Sequence, residues 1–150
     1  MANRRAFSLL EILLVLTLIL VLLAALISTP NPQAELDNGT INFVTLLHFC
    51  KANAANTGKP IKLVINNDIS VLWSADPLQN PGVFQTFPAL DGLVESVNSL
   101  VDIKSKNPTI WNADGSSNPN KFCISSKNPE DQRKIVVEIK ESGKIKILWR

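Results

Sequence analysis

An almost purely apolar run from Phe7 to Ile27 constrains this chain more than any other feature of its sequence. Leu, Ile and Val dominate the run, and Thr17 is its only polar residue after Glu11. As an α-helix the run would be roughly 30 Å long, about the thickness of the hydrocarbon core of a bilayer. The sequence therefore predicts one membrane-spanning helix over residues 7–28.

Basic residues set the expected orientation of this helix. Arg4 and Arg5 precede it, whereas the next basic residue along the chain is Lys51. Because basic residues stay on the cytoplasmic side, the N-terminus is predicted to be cytoplasmic and everything after Ser28 to cross the membrane. A secretory signal peptide that is cleaved near Ser28 and an ordinary single-pass anchor fit the same pattern.

Glu11 distinguishes the run from those two alternatives. A carboxylate inside a membrane helix is costly and is rarely present without a functional reason. Neither a signal peptide nor a plain anchor explains an acid placed four residues after Phe7.

The residues from Arg4 to Ile12, Arg-Arg-Ala-Phe-Ser-Leu-Leu-Glu-Ile, resemble the processing motif of type IV pilins and of the pseudopilins of type II secretion. The resemblance implies that a prepilin peptidase removes residues 1–6 as a leader by cleaving between Ala6 and Phe7. It also implies that the new amine of Phe7 is methylated. The family usually has Gly before the cleavage site, where this chain has Ala6.

Cleavage would place a positive amine at Phe7, one helical turn from Glu11, so both charges would face the same side of the helix. An unpaired carboxylate is strongly penalised where the dielectric constant is low, and the amine of a neighbouring subunit could neutralise it. Glu11 is therefore predicted to set the axial register of a subunit that joins a filament.

Charge and cysteine content bound the remainder of the chain. The full sequence has 15 basic and 13 acidic residues, and loss of residues 1–6 would leave 13 of each. This balance argues against a strongly charged surface as the basis of function. The residues after the span, about 120, suffice for one domain. Cys50 and Cys123 could form a disulfide outside the cytoplasm, with two buried thiols as the alternative.

A second helical segment is predicted over residues 29–58, with a kink or interruption at Pro30 and Pro32. Asn38-Gly39 weakens its start, and Thr57-Gly58-Lys59-Pro60 supplies the glycine and proline of a helix end. One apolar face is predicted to pack on a sheet, with Val44 beside it; its members are Leu36, Phe43, Leu47, Cys50 and Ala54.

The segment 59–150 is predicted to be rich in strands. Residues 61–65 and 69–73 flank Asn66-Asn67-Asp68 and read as a hairpin. Residues 76–88 are predicted to be irregular, with at most a short strand near Phe84, and residues 93–104 to form one or two strands. The end of the chain predicts a second hairpin around Ser142-Gly143.

These segments predict an α+β fold, in which a long N-terminal helix packs on a C-terminal antiparallel β-sheet domain. Three further regions resemble minor pseudopilins of the H type: residues 46–63, residues 111–117, and residues 133–137 with the Gly143 hairpin. The resemblance implies a pilin-like architecture for most of the chain, with residues 76–101 poorly matched.

No catalytic or metal-binding motif is evident in the sequence. His48 is the only histidine, and neither a Gly-x-Ser-x-Gly element nor a calcium loop occurs. The sequence therefore predicts a protein that is not an enzyme and needs no cofactor. Lys144, Lys146 and Arg150 resemble a basic C-terminal hairpin with which some relatives hold DNA, but lysines lack the bidentate chemistry of arginine. Nucleic acid is therefore predicted to be an unlikely ligand.

The resemblance implies a structural minor pseudopilin of a type II secretion pseudopilus. Such a subunit would be a single-pass protein of the bacterial inner membrane with a periplasmic domain, and would then enter the pseudopilus. Its expected partners are other pseudopilins or pilins, the prepilin peptidase, the inner-membrane assembly platform and the lipid bilayer. Two alternatives remain: a minor type IV pilus subunit for adhesion or DNA uptake, and a membrane-anchored β-rich binding domain without a filament role.

Overall fold

The computed structural model of the chain describes residues 9–27, 32–74, 78 and 82–149. The chain divides into two compact units, Met1–Asn31 and Pro32–Arg150. In the first unit, the described residues form helix α1 (Leu9–Ile27). Its sequence is apolar throughout apart from Glu11 and Thr17, so the helix has no polar face.

The second unit has two further helices and eight strands among its described residues. In chain order these are α2 (Pro32–Thr57), β1 (Ile61–Ile65), β2 (Ile69–Trp73), β3 (Gln85–Thr86), a 3-10 turn (Pro88–Leu90), α3 (Asp91–Leu100), β4 (Val101–Ser105), β5 (Thr109–Trp111), β6 (Asn120–Ser126), β7 (Lys134–Ile139) and β8 (Ile145–Trp149). The predicted α+β class is confirmed.

Helix α2 has the buried face that its spacing predicts. It begins at Pro32, whose missing N–H costs nothing in the first helical turn. It ends at Thr57, and Gly58 follows with a φ of +66°, a left-handed conformation that glycine adopts without strain. The predicted face is buried as a whole, with Val44 partly buried beside it: Leu36, Phe43, Leu47, Cys50 and Ala54. Residues 28–31 lie outside the described part, so a helix that continues from α1 stays a prediction.

The strands form two antiparallel four-stranded sheets. The first sheet has the order β3-β2-β1-β5 and the second has the order β4-β6-β7-β8. Helix α2 contacts strands of both sheets. Phe43 of α2 meets Phe122 of β6 edge to face, with 5.1 Å between the ring centroids. The hydrophobic core of the domain therefore lies between α2 and the inner faces of the sheets.

Both predicted hairpins are confirmed. In the first, Ile61 pairs with Trp73 and Ile65 pairs with Ile69. In the second, the apolar residues of β7 face those of β8, as their alternation indicates: Ile135 with Trp149, Val137 with Ile147, and Ile139 with Ile145. The irregular segment contains the short strand β3 near Phe84, as predicted.

The strand prediction for residues 93–104 is wrong in its first part. Residues 91–100 form helix α3, and only β4 is extended. Leu93, Val94 and Val97 are spaced as one face of a helix, and this face packs toward the core, where Val97 is fully buried. The partial alternation in the sequence was therefore the weaker of two overlapping patterns.

Gly39 is required where α2 approaches β4. A Cβ atom at this position would overlap Cγ1 of Val101 and lie only 3.2 Å from Cβ of Leu100. By contrast, a Cβ atom at Gly92 of α3 would meet nothing within 4 Å. The glycine that weakens the helix in the sequence thus permits close packing in the fold.

We expect Gly39→Ala to destabilise the domain by about 1–3 kcal/mol, the usual cost of overpacking a core. Gly92→Ala is the matched control, and the better helix propensity of alanine should stabilise it by up to about 1 kcal/mol. Denaturant unfolding followed by tryptophan fluorescence measures both. Equal stability of the two variants would contradict the close approach.

Candidate functional site: the N-terminal helix and the faces of the domain

Helix α1 exposes nearly all of its large apolar side chains. Exposed fractions run from 49% at Ile19 and Leu23 to 81% at Leu9. Ordinary surface helices of water-soluble domains bury one apolar face and expose polar residues on the other. A helix that is apolar on all sides is stable only when lipid or other protein helices cover it.

Within the described residues, no helix is both long enough and apolar enough to cross a membrane. The predicted span over residues 7–28 stays a prediction. Its first two residues and its last residue lie outside the described part.

Glu11 lies in the first turn of α1 and is the only charged residue between Leu9 and Ile27. A negative charge is favourable there because the first turn of a helix carries the positive end of the helix dipole. The hydroxyl of Thr17 donates to the carbonyl oxygen of Leu14 at 2.8 Å, so this second polar side chain is satisfied within its own helix. Ala6 and Phe7, the predicted cleavage and methylation residues, lie outside the described residues.

The two thiols that could form a disulfide are free in the structure. Cys50 is fully buried on the inner face of α2. Cys123 alternates along β6 with Phe122 and Ile124, which are both buried toward the helix, so its side chain lies on the opposite face of the sheet. The sheet therefore separates the two side chains, and the disulfide that the sequence left open is not formed in the structure. The alternative of two buried thiols holds only for Cys50, since Cys123 is partly exposed.

The predicted basic hairpin does not present a uniform positive surface. Lys144 and Lys146 are exposed, and Arg150 lies outside the described residues. Lys146 stands opposite Glu138 in the register of β7 and β8. Glu138 also forms an ion pair with Lys121 of β6, at 3.2 Å. A carboxylate between two lysines weakens the attraction for phosphate that DNA binding needs.

Arg133 links the loop before β7 to the first turns of α2. Its Nε and Nη2 atoms donate to the two carboxylate oxygens of Asp131 at 2.9 and 2.8 Å. Its Nη1 atom lies 3.6 Å from a carboxylate oxygen of Asp37 on α2. Such a bidentate pair fixes a guanidinium in both position and plane.

The Asp131–Arg133 pair predicts a stability that depends on acid pH. Hydrogen bonds from the Arg133 guanidinium hold the pKa of Asp131 below its ordinary value. The carboxylate therefore stabilises the fold above its unfolded pKa of about 3.9, and this contribution disappears as pH falls through the lower folded pKa.

We expect Asp131→Asn to lower the Tm at neutral pH, and the difference from the wild type to shrink as the pH falls through the lowered folded pKa of Asp131. Thermal unfolding across this pH range measures the effect. Asp102→Asn is the control, because the carboxylate of Asp102 makes no ion pair among the residues the structure describes. A pH-independent difference for Asp131→Asn would exclude the ion pair as its cause.

Lys51 is a residue whose role the sequence did not reveal. Its Nζ atom donates to the carbonyl oxygen of Gly143 at 3.1 Å, which connects α2 to the turn between β7 and β8. Gly115 and Gly143 both have a left-handed φ, +77° and +68°, and their turns lie against each other. The Ser117 N–H donates to the carbonyl oxygen of Glu141 at 3.0 Å. The turns at Gly115 and Gly143, which lie in the regions that resemble H-type pseudopilins, therefore have a structural role: they connect α2 with the strands.

The outer face of the second sheet, opposite α2, carries a groove whose lining mixes apolar and charged groups. This groove of about 680 Å³ includes Cys123, Val136 and Leu148 in its lining. Lys104 and Lys106 line it as well. Among the described residues, no group of three or more His, Cys, Asp or Glu side chains could hold a metal ion.

These features define a class of protein by fold: an N-terminal helix followed by a helix-on-sheet domain, the pilin-like arrangement. The structure is similar to that of the minor pseudopilin EpsH from the Type 2 Secretion System of Vibrio cholerae, with 19% identity and a TM-score of 0.51, covering 77% of this chain and 97% of that chain. It is also similar to the type IV minor pilin FimU of Pseudomonas aeruginosa, with 16% identity and a TM-score of 0.50, covering 77% and 90%. Neither a protein-family model nor a curated protein sequence matches the chain.

Proposed function

We propose that the chain is a structural minor pseudopilin of a type II secretion pseudopilus that assembles through its N-terminal helix. One combination of features carries the proposal: an apolar helix that is exposed on all sides precedes a domain with the pilin-like fold. The Ala6-Phe7 junction and Glu11 add the sequence features of a processed filament subunit. The subunit acts through assembly and has no catalytic activity of its own.

In this proposal the precursor is a single-pass protein of the bacterial inner membrane with its second unit in the periplasm. Prepilin peptidase removes residues 1–6 and methylates Phe7. The assembly platform then transfers the helix from lipid into a bundle of pseudopilin helices. Both environments are apolar, so the exposed side chains of α1 stay covered at each stage.

The mass of the mature N-terminus tests the processing step. We expect a chain that begins at Phe7 and carries one additional methyl group. A chain that begins near Ser28 would support a signal peptide, and an intact leader would support a plain anchor. Either of these results would overturn the proposed assembly route.

A minor type IV pilus subunit is the second candidate, because the similarity to FimU is nearly as high as the similarity to EpsH. Deletion of the gene in its own host separates the two functions. A secretion subunit predicts that exported proteins accumulate in the periplasm while pili remain. A pilus subunit predicts the loss of pili with normal secretion.

A further inference from the structure

One row of side chains crosses the outer face of the second sheet from edge to edge. Lys104 of β4 stands opposite Cys123 of β6. Cys123 stands opposite Val136 of β7, which in turn stands opposite Leu148 of β8. Because directly paired residues of antiparallel strands share a face, the row consists of one cation followed by three apolar side chains.

This row forms the floor of the groove of about 680 Å³. Lys106 and Asn107, which follow β4, and Pro119, which precedes β6, extend its lining beyond the strands. Leu148, the last apolar member of the row, is 43% exposed and so remains accessible to a ligand. The volume lies in the range of sites that enclose a small molecule or a few peptide residues.

The charge at this groove is positive on one side. Lys104 and Lys106 make no ion pair within the described residues, whereas Lys121 is already paired with Glu138 at 3.2 Å. Lys104 and Lys106 are therefore the lysines of the lining that are available to a carboxylate. The lysines of an exposed site contribute more to specificity and association rate than to affinity.

We propose that this groove docks an extended, acidic segment of a partner protein that carries an apolar side chain. The apolar side chain covers Cys123, Val136 and Leu148, and the flanking carboxylates meet Lys104 and Lys106. A peptide fits better than a nucleic acid because the floor is mainly apolar and only Lys104 and Lys106 are available, whereas a phosphate backbone needs several clustered cations. The proposal does not depend on filament assembly.

Cys123 supplies a direct readout of occupancy. Its thiol lines the groove, whereas Cys50 is fully buried, and burial raises the pKa of Cys50 to about 12. Because the thiolate is the reactive form, alkylation of the folded full-length chain in detergent micelles reports on Cys123 alone. The probe is the peptide acetyl-Glu-Leu-Glu-Leu-Glu-amide, and the same peptide with Lys for Glu is its charge-reversed control.

We expect the acidic peptide at about 1 mM to slow alkylation of Cys123 severalfold. Protection of this size follows if the peptide binds the groove with a Kd below about 1 mM. The basic peptide should have no effect. Lys104→Glu/Lys106→Glu should weaken the protection at least about tenfold. Lys59→Glu/Lys62→Glu makes the same change of net charge in β1 and just before it, and should preserve the protection. Circular dichroism of each variant confirms that it is folded.

Three results would overturn the proposal. The first is alkylation that the acidic peptide does not slow at any concentration up to about 10 mM, beyond which binding is too weak to matter. The second is equal loss of protection in both lysine pairs, which would indicate attraction to net charge alone. The third is protection by a DNA duplex but not by the peptide. The mass of the mature N-terminus is independent of all three, so this proposal and the proposed function can fail separately.

Discussion

Replacement of Phe43 by alanine is expected to destabilise the globular domain strongly. Phe43 is fully buried on α2 and meets Phe122 of β6 edge to face. Removing such a ring from a core costs about 3–5 kcal/mol through lost transfer free energy and the cavity that remains. That cost is a large share of the 5–15 kcal/mol by which domains are usually stable.

Phe49 provides the matched control on the same helix. Its ring is 51% exposed, so Phe49→Ala should change the free energy of unfolding by no more than about 0.5 kcal/mol. Urea titration of the full-length chain in detergent, followed by tryptophan fluorescence, measures both variants. Similar losses for the two would show that α2 does not pack on the sheet as described.

Replacement of Glu11 by alanine is expected to abolish assembly while leaving the globular domain intact. Glu11 is the only acid of α1, and a neighbouring subunit's Phe7 amine is its proposed partner. Loss of a charge pair that is buried in an apolar bundle typically costs 3 kcal/mol or more, roughly a hundredfold in affinity. Cross-linking to partner subunits in membranes of the native host measures this loss.

Two further variants make the Glu11 experiment specific. Glu11→Gln keeps the shape of the side chain and removes its charge, so it should fail as Glu11→Ala does. Thr17→Ala removes the other polar side chain of α1, whose hydroxyl is satisfied by Leu14, and should assemble normally. The mature N-terminus must be checked in each variant. Normal cross-linking of a correctly processed Glu11→Ala would refute the proposed role of the carboxylate.

The exposed face of α2 bears on both the stability prediction and the assembly prediction. Ile41 and Phe49 are 58% and 51% exposed, and Lys51, the only charged residue of α2 after Asp37, donates inward to Gly143. Phe49→Ala, expected to be neutral for stability, therefore also asks whether this face takes part in assembly. A folded variant that fails to cross-link would extend the assembly surface beyond α1.

Much of the fold could be predicted because its signals are local. The period of the apolar residues of α2, the glycine at its end and the alternation around both hairpins lie within short stretches of sequence. The strand prediction for residues 93–104 was wrong in its first part because a strand pattern and a helix pattern overlap there. Only the packing of Val97 in the core decides between the two patterns. The sequence left open whether Cys50 and Cys123 are bonded for a related reason, since the face on which Cys123 lies depends on the pairing of β6 with its neighbours.

The sequence by itself determined the class of the chain: an apolar N-terminal helix with one acid, followed by an α+β domain. The tertiary structure alone decided which residues meet. Gly39 permits a close approach to Val101, Lys51 joins α2 to a distant turn, and the groove beside Cys123 assembles from four strands. Helical period and turn chemistry act over a few residues, whereas strand register and helix-on-sheet contacts join residues far apart in the chain, and no local pattern encodes those partners.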